Sequence, residues 1–351
     1  MYENKTVLIT GATGLIGSHI VDRLMELDNV RVIALSRNEE KLEIGFSKYL
    51  NDPRFRIIVG NIQENLEIDE KVDYIFHAAS PMESKVIKNK PLDVINPNIL
   101  GTINCLELLR KQKEEKGISG RMILFSSVTV YGNVTNNDIV VSEENTNVTE
   151  KLENLSAPYS QSKRMAEVIA LAYYRQLEID VVICRFSTVY GYTRFIPDTA
   201  FFEFIKKGLA HEDIILNSAG LPRRDNIYID DAVTAALLIG ATGDSGECYN
   251  ISSNGELGNY AAVDEIANMI ADIVNQNSDE DDIRVIFQNV NDSKRRSGIR
   301  LNNNKLKKLG WSPKISIEEG IRRTLNDLEK SNYCGSCLLY TSPSPRDTER
   351  S

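Results

Sequence analysis

The chain has 351 residues, with 41 Lys and Arg against 50 Asp and Glu, for a formal net charge of −9. That length holds one large α/β unit or two smaller ones, and the interspersed charges exclude the basic stripe of a general nucleic-acid binder. No apolar run approaches the roughly 18 residues that cross a bilayer. The segment Met1–Lys5 leads into a strand pattern without signal-peptide character, so a cytoplasmic protein with no nucleic-acid or membrane partner is expected.

Residues 5–10 (KTVLIT) form a short apolar run that ends at a glycine-rich turn. A helix follows, with Ile16, Ile20, Leu24 and Leu27 on one stripe. Residues 30–35 (VRVIAL) predict a second strand, and 56–59 and 74–76 a third and fourth. A helix is predicted from about Asn98 to Lys113, a strand over 122–125 (MILF), a helix over 157–176 and a strand over 181–184. Strands alternating with helices predict an α/β fold of Rossmann type, a doubly wound parallel sheet with helices on both faces.

Beyond Gly191 the pattern loosens. Short helices are predicted over 201–207, over 230–239 with Asp230 or Asp231 near its N-cap, and over 262–274. An acidic loop spans 277–282, and a last amphipathic helix spans 317–328. The expected division is a dinucleotide-binding domain over 1–190, with a returning segment at about 223–250. A smaller, interleaved substrate region then covers 191–222 and 251–332. Residues 337–351 begin CLLYTSPSPRD, which resembles a translated sequencing-library adapter, and they are set aside as a non-native tail; a Ser/Pro-rich disordered tail is the alternative.

Cys105, Cys184 and Cys248 lie in apolar segments and read as buried thiols. Cys334 and Cys337 form a lone C-x-x-C, and His19, His77 and His211 are far apart, so no metal site is expected.

The first strand runs into Gly11-Ala12-Thr13-Gly14-Leu15-Ile16-Gly17. A G-x-x-G-x-x-G loop between strand and helix lets the backbone approach a pyrophosphate, and the helix N-terminus adds amides and a positive dipole end. This context predicts a bound dinucleotide, NADP or NAD, lying along Gly11, Thr13, Gly14, Leu15, Ile16 and Gly17. The second strand ends in Ser36-Arg37-Asn38 instead of the acid that binds a ribose 2′-hydroxyl. Arg37 suits a 2′-phosphate and favours NADP; Glu39 and Glu40 leave NAD open.

Tyr159-Ser160-Gln161-Ser162-Lys163 places Tyr159 and Lys163 on one helix face. A tyrosine ordinarily titrates at about 10, and bringing it to neutrality takes about 4 kcal/mol of differential interaction. A neighbouring ammonium and an oxidised nicotinamide both act in that direction. The strand MILF leads to Ser126-Ser127-Val128-Thr129-Val130-Tyr131-Gly132, with Ser127 at the strand end where such sheets bind ligands.

Together the glycine loop, the serine and the Y-x-x-x-K resemble an extended short-chain dehydrogenase/reductase of the NAD-dependent epimerase/dehydratase family, over about residues 5–330. The resemblance implies a nucleoside-diphosphate-sugar substrate, a catalytic set of Ser127, Tyr159 and Lys163, and a homodimer through the helices near 98–113 and 157–176. His77-Ala78-Ala79 matches the family's H-A-A segment beside the cofactor, and Asn98 its structural asparagine. Ser36, Arg37, Asn61, Ile62, Ser80, Tyr159 and Lys163 complete the implied cofactor contacts. Arg224, in R-D-N-I-Y-I-D-D, matches a substrate-diphosphate ligand, a task suited to a forked cation. Arg296, in R-S-G-I, matches a second one. The stretch Leu309-Gly310-Trp311-Ser312-Pro313, then Glu318-Glu319-Gly320-Ile321, matches the family's closing segment and is expected to pack. The chain departs from the pattern at Asn61 (for an adenine-binding Asp), Thr188 (for a substrate-holding Asn), Tyr192 (for Pro) and Ile299 (for Asp).

The pair after Ser127 is Val128-Thr129, counted here with the substrate-binding residues. Dehydratases of this branch carry Asp-Glu there, and decarboxylases a Glu at the second position. The segment resembles the S-A-T-V-Y-G of 4-epimerases, although Ser80-Pro81 is similar to the decarboxylase-like relatives. The expected reaction is therefore C4 epimerisation, by transient oxidation to a keto-sugar and return of the hydride. An NADPH-dependent keto-sugar reductase is the alternative that Arg37 favours, and a dehydratase or decarboxylase stands behind it. A non-catalytic dinucleotide sensor would dispense with the Tyr or Lys, and both are present. The resemblance also implies a place in cell-surface polysaccharide synthesis.

Overall fold

The computed structural model describes residues 1–132, 138–145, 150–276, 281–288 and 297–331. Arg296, most of the acidic loop, Cys334, Cys337 and the 337–351 tail lie outside these. In chain order the first elements are β1 (Thr6–Thr10), α1 (Leu15–Met25), β2 (Arg31–Ser36), α2 (Glu39–Gly45), β3 (Phe55–Val59), β4 (Tyr74–His77), α3 (Ser84–Asn89) and α4 (Leu92–Lys116). Then come β5 (Arg121–Ser127), β6 (Ile139–Val141), α5 (Ala157–Leu177), β7 (Asp180–Phe186), β8 (Thr188–Tyr190), α6 (Ala200–Leu209) and β9 (Ile214–Leu216). The rest are β10 (Arg223–Tyr228), α7 (Ile229–Thr242), β11 (Cys248–Ile251), β12 (Tyr260–Ala262), α8 (Val263–Gln276), β13 (Val285–Phe287), β14 (Ile299–Leu301), α9 (Asn304–Lys308) and α10 (Ile317–Lys330).

Seven strands pair in parallel in the order β3-β2-β1-β4-β5-β7-β11, the order of a Rossmann-type sheet. The apolar runs explain why both faces are covered. Val7 and Ile9 of β1 point into one core with Ile20 and Leu24 of α1 and Ile239 of α7. Leu8 points into the other, with Leu106 and Leu109 of α4 and Ala166 and Ala170 of α5. A strand buried on both sides carries no polar alternation, which is what VLI and VIAL show.

The order of connection reverses between β1 and β4, so a crevice opens at their carboxyl ends. Beyond it, β10 pairs in parallel with β8 and antiparallel with β12, while β9–β13 and β14–β6 form two small parallel pairs. Phe204, Ile270, Ile321 and Leu325 continue the α1–α7 core into this half.

Element boundaries differ from the sequence pattern in several places. The helix expected from Asn98 begins at Leu92 and runs through the buried Pro97. Proline is a boundary signal because it removes a helix donor, but here the helix face on either side of it is buried. At the start of α7, Asp230 and Asp231 lie in the first turn and Tyr228 is the N-cap. The Asp231 carboxylate instead accepts from the Lys314 and Ile315 amides at 2.9 and 3.0 Å, and Trp311 Nε1 donates to Thr234 Oγ1 at 3.2 Å. The Leu309–Pro313 stretch is thereby packed against α7.

Candidate active site

The glycine loop closes tightly at the end of β1. Gly11 has φ +66°, in the left-handed region, and a Cβ there would lie 2.7 Å from the Ala79 backbone. The ends of β1 and β4 therefore meet backbone to backbone. A Cβ on Gly17 would lie 2.4 Å from the Gly11 carbonyl oxygen, so α1 seats its first turn directly on the loop. The Gly14 amide donates to the Gly11 carbonyl at 3.0 Å, and Leu15 and Ile16 open α1. This is a backbone cradle at a helix N-terminus, and it fits a dinucleotide pyrophosphate.

Around it, the Thr13 and Ser36 hydroxyls are 2.9 Å apart, which ties the loop to the end of β2. Arg37 is exposed, and Asn38 beside it caps α2 through the Lys41 amide at 2.8 Å. Asn61 turns its side chain onto the Gln63 amide at 3.2 Å, and Ile62 is buried beneath α4 with its carbonyl accepting from Asn104 at 2.8 Å. Ala78, Ala79 and Ser80 leave the end of β4 next to Gly11. Asn98 Nδ2 donates to Ser162 Oγ at 2.8 Å and so ties α4 to α5. His77 Nδ1 and Thr10 Oγ1 are 2.7 Å apart; burial, with the Lys163 charge, pushes the imidazole down to about 3 and keeps it neutral.

Ser127 ends β5, and its Oγ accepts from the Thr129 amide at 3.3 Å, which starts the turn over Val128 and Tyr131. Tyr159 stands in the first turn of α5, 9% exposed, with the Ser127 side chain near its hydroxyl. Burial pushes its phenol up to about 12, and Ser127 acts in the opposite direction. Lys163 Nζ donates to the Phe125 carbonyl at 2.6 Å, and burial brings it down to about 7, with the Glu167 charge acting against that. The three residues thus converge at one strand end. Burial holds the phenol neutral.

Thr188, half-buried on β8, is the register partner of Asn226 on β10, and Asn226 Nδ2 donates to the carbonyl of the exposed Arg224 at 2.9 Å. Among the described residues, Ser80 Oγ, Asn98 Oδ1, Thr129 Oγ1 and Ser187 Oγ are buried without a hydrogen-bond partner. Such atoms cost free energy unless a ligand meets them, and three of the four follow the carboxyl ends of β4, β5 and β7. No group of His, Cys, Asp and Glu among the described residues could hold a metal, and no described helix is long and apolar enough to cross a membrane.

The sequence pattern missed Glu167, Arg185 and Ser187. Two signals were available: Glu167 follows Lys163 at the same four-residue helical spacing, and Arg185 is a lone cation inside the apolar strand VVICRF.

Residues 7–252 match the model of the NAD dependent epimerase/dehydratase family. The chain is 28% identical to UDP-glucuronic acid decarboxylase 5 of Arabidopsis thaliana, over 91% of this chain and 88% of that protein. It is 30% identical to a putative UDP-glucose 4-epimerase of Methanocaldococcus jannaschii, over 93% and 99%. The solved UDP-glucuronic acid 4-epimerase of Bacillus cereus, in complex with UDP-glucuronic acid and NAD, superposes with a TM-score of 0.76 at 23% identity, over 93% of this chain and 99% of that one. Arg37 favoured a 2′-phosphate on sequence grounds, but it is exposed and the matching family is NAD-dependent. With a Rossmann-type sheet, a glycine cradle and a Ser-Tyr-Lys set at its carboxyl edge, the chain is an enzyme and belongs to the NAD dependent epimerase/dehydratase family.

Proposed function

We propose that the protein is a nucleoside-diphosphate-sugar 4-epimerase. The observation that carries this is the turn after Ser127, where Val128 and Thr129 offer no carboxylate. Of the described acids that follow in sequence, Glu143 accepts from the Asn250 amide, and Glu150 from Ser156, Ser160 and Gln161. Removing water from the sugar calls for an acid–base pair beyond the tyrosine, and a keto-uronate that loses carbon dioxide calls for a donor to protonate the enolate left behind, whereas epimerisation needs only one group that takes and returns a hydroxyl proton.

Gly11, Thr13, Gly14, Leu15, Ile16 and Gly17 would hold the cofactor pyrophosphate. Ser36 and Arg37 would face the adenosine ribose, Asn61 and Ile62 the adenine, and Ala78, Ala79, Ser80 and Asn98 the nicotinamide half. When bound, the nicotinamide supplies the redox partner for the sugar carbon. Tyr159 takes the proton of the sugar hydroxyl and gives it back. Ser127 holds that oxygen by a hydrogen bond and stabilises the charge that develops on it. The Lys163 ammonium favours the phenolate over the phenol. Thr129 and Thr188 line the sugar, and Arg224 binds the diphosphate. Residues 191–222 and 251–332 form the substrate region.

Proton NMR in D2O with NAD and a panel of nucleotide sugars tests this reading. The panel includes UDP-glucuronic acid, for which two of the relatives above are named. The expected result is a C4 isomer with no net change in cofactor and no deuterium on the ring. Loss of water or carbon dioxide, or ring deuteration, would assign a dehydratase or decarboxylase instead. Net consumption of reduced cofactor on a keto-sugar would assign the reductase.

We infer a homodimer through α4 and α5, which pack together and leave Leu100, Met165 and Val168 41 to 54% exposed. Sedimentation velocity is expected to give twice the mass of one chain, and Met165→Glu to give a monomer.

A further inference from the structure

The proposed chemistry leaves a buried ion pair beneath the site without a role. Glu167 lies one turn beyond Lys163 on α5, and Arg185 is the register partner of Ser126 on β7. They are 5% and 9% exposed. Arg185 forks onto both oxygens of the Glu167 carboxylate, Nε at 2.9 Å and Nη2 at 2.7 Å. Ser126 Oγ donates to the same carboxylate at 2.5 Å, and Lys163 Nζ donates to the carbonyl of Phe125, the residue before. Helix α5 thus grips two consecutive residues of β5, and the next residue is Ser127.

We propose that Glu167, held by Arg185, is a positioning residue that fixes Ser127 against Tyr159 and supplies the counter-charge for Lys163. This rests on the reading of Ser127, Tyr159 and Lys163 as the catalytic set. A buried ion pair is weak support for stability, because desolvation of both charges offsets their attraction. The surroundings point to a role at the site instead. Lys163 Nζ donates to the Phe125 carbonyl on β5, Tyr159 and Glu167 lie one turn to either side on α5, and the Lys163 charge acts on His77 on β4, with Cys105 on α4 reaching His77. His77 is neutral, burial holds Cys105 and Tyr159 protonated, and Glu167 is the one anion among them. The remaining Arg185 donor, Nη1, turns away toward the Tyr131 hydroxyl at 3.0 Å and the Glu143 carbonyl at 3.2 Å.

The test follows the Lys163 ammonium by NMR in the full chain carrying isotope-labelled lysine, with the signal assigned from Lys163→Met. In Glu167→Gln its titration midpoint is expected about one pH unit lower than in the unsubstituted enzyme. The alkaline limb of kcat should move by the same amount, with KM for the nucleotide sugar unchanged. An unmoved midpoint overturns the proposal, as does an alkaline limb of kcat that stays in place. If Glu167→Gln does not fold, the pair Glu167→Leu with Arg185→Met replaces both buried charges by apolar groups. A smaller downward shift is expected there, because the Arg185 charge leaves with that of Glu167, and a midpoint at or above that of the unsubstituted enzyme overturns the proposal. The NMR midpoint needs no substrate. An enzyme inactive on every nucleotide sugar would therefore defeat the epimerase reading while this proposal is still decided by the titration.

Discussion

Tyr159→Phe is expected to lower kcat by about a thousandfold, the scale of a lost general acid–base group, and to leave NAD affinity and the melting temperature nearly unchanged. The ring is buried and phenylalanine fills the same space, so the change removes one oxygen beside Ser127. Packing against α5 and β5 is kept, and the glycine cradle is on other elements. With the phenol gone, no group at the end of β5 can take the sugar hydroxyl proton: Ser127 is an unactivated alcohol, and Lys163 donates to Phe125. The measurement is steady-state turnover on whichever nucleotide sugar the NMR panel identifies, with calorimetry of NAD binding beside it. Turnover within about tenfold of the unsubstituted enzyme would remove Tyr159 from the catalytic role, since even a weak acid–base contribution is about a hundredfold. Loss of NAD binding would show that the hydroxyl serves the cofactor first.

The parts of this site that were legible in sequence are those with a fixed spacing along one element. The glycine loop, the Tyr-to-Lys helix spacing and the serine at the end of β5 are local patterns, and each falls at the carboxyl edge of the parallel sheet. Six of the seven central strands were legible as apolar runs; β11 was not, because its four residues, CYNI, include a polar Asn250. The small strands β6, β8, β9, β12, β13 and β14 were not, because each has three residues and its pairing partner lies far along the chain. Leu27 shows the opposite error: it continues the apolar stripe of α1, but the helix ends at Met25 and Leu27 is 37% exposed. The partner of Lys163 was also out of reach. The spacing suggested an ammonium held on the Tyr159 ring, whereas the amine donates to a carbonyl supplied by β5. The state of the phenol depends on that contact and on burial, and neither is written in a motif.

Gly17→Ala is expected to weaken NAD binding by at least about a hundredfold, roughly 2.7 kcal/mol, and to lower stability by about 1 to 3 kcal/mol, as overpacking does. Gly17 sits inside α1, where alanine is intrinsically favoured over glycine by about 1 kcal/mol. Any loss must therefore come from contact. The added Cβ would lie 2.4 Å from the Gly11 carbonyl oxygen and 3.1 Å from Ala12 Cα, all backbone, so no side chain can swing aside. Either α1 lifts from the loop or the loop moves, and both separate the helix amides from the pyrophosphate they would bind. Gly14→Ala is the graded control. Its Cβ would meet only the Gly11 carbonyl oxygen, at 3.2 Å, so a smaller loss is expected. Calorimetric titration with NAD and thermal melts of both variants give the comparison. If Gly17→Ala loses stability but binds NAD as tightly as the unsubstituted chain, the loop is only a tight strand-to-helix turn. The cofactor would then have to be held by the ends of β2 and β4, without the cradle at α1.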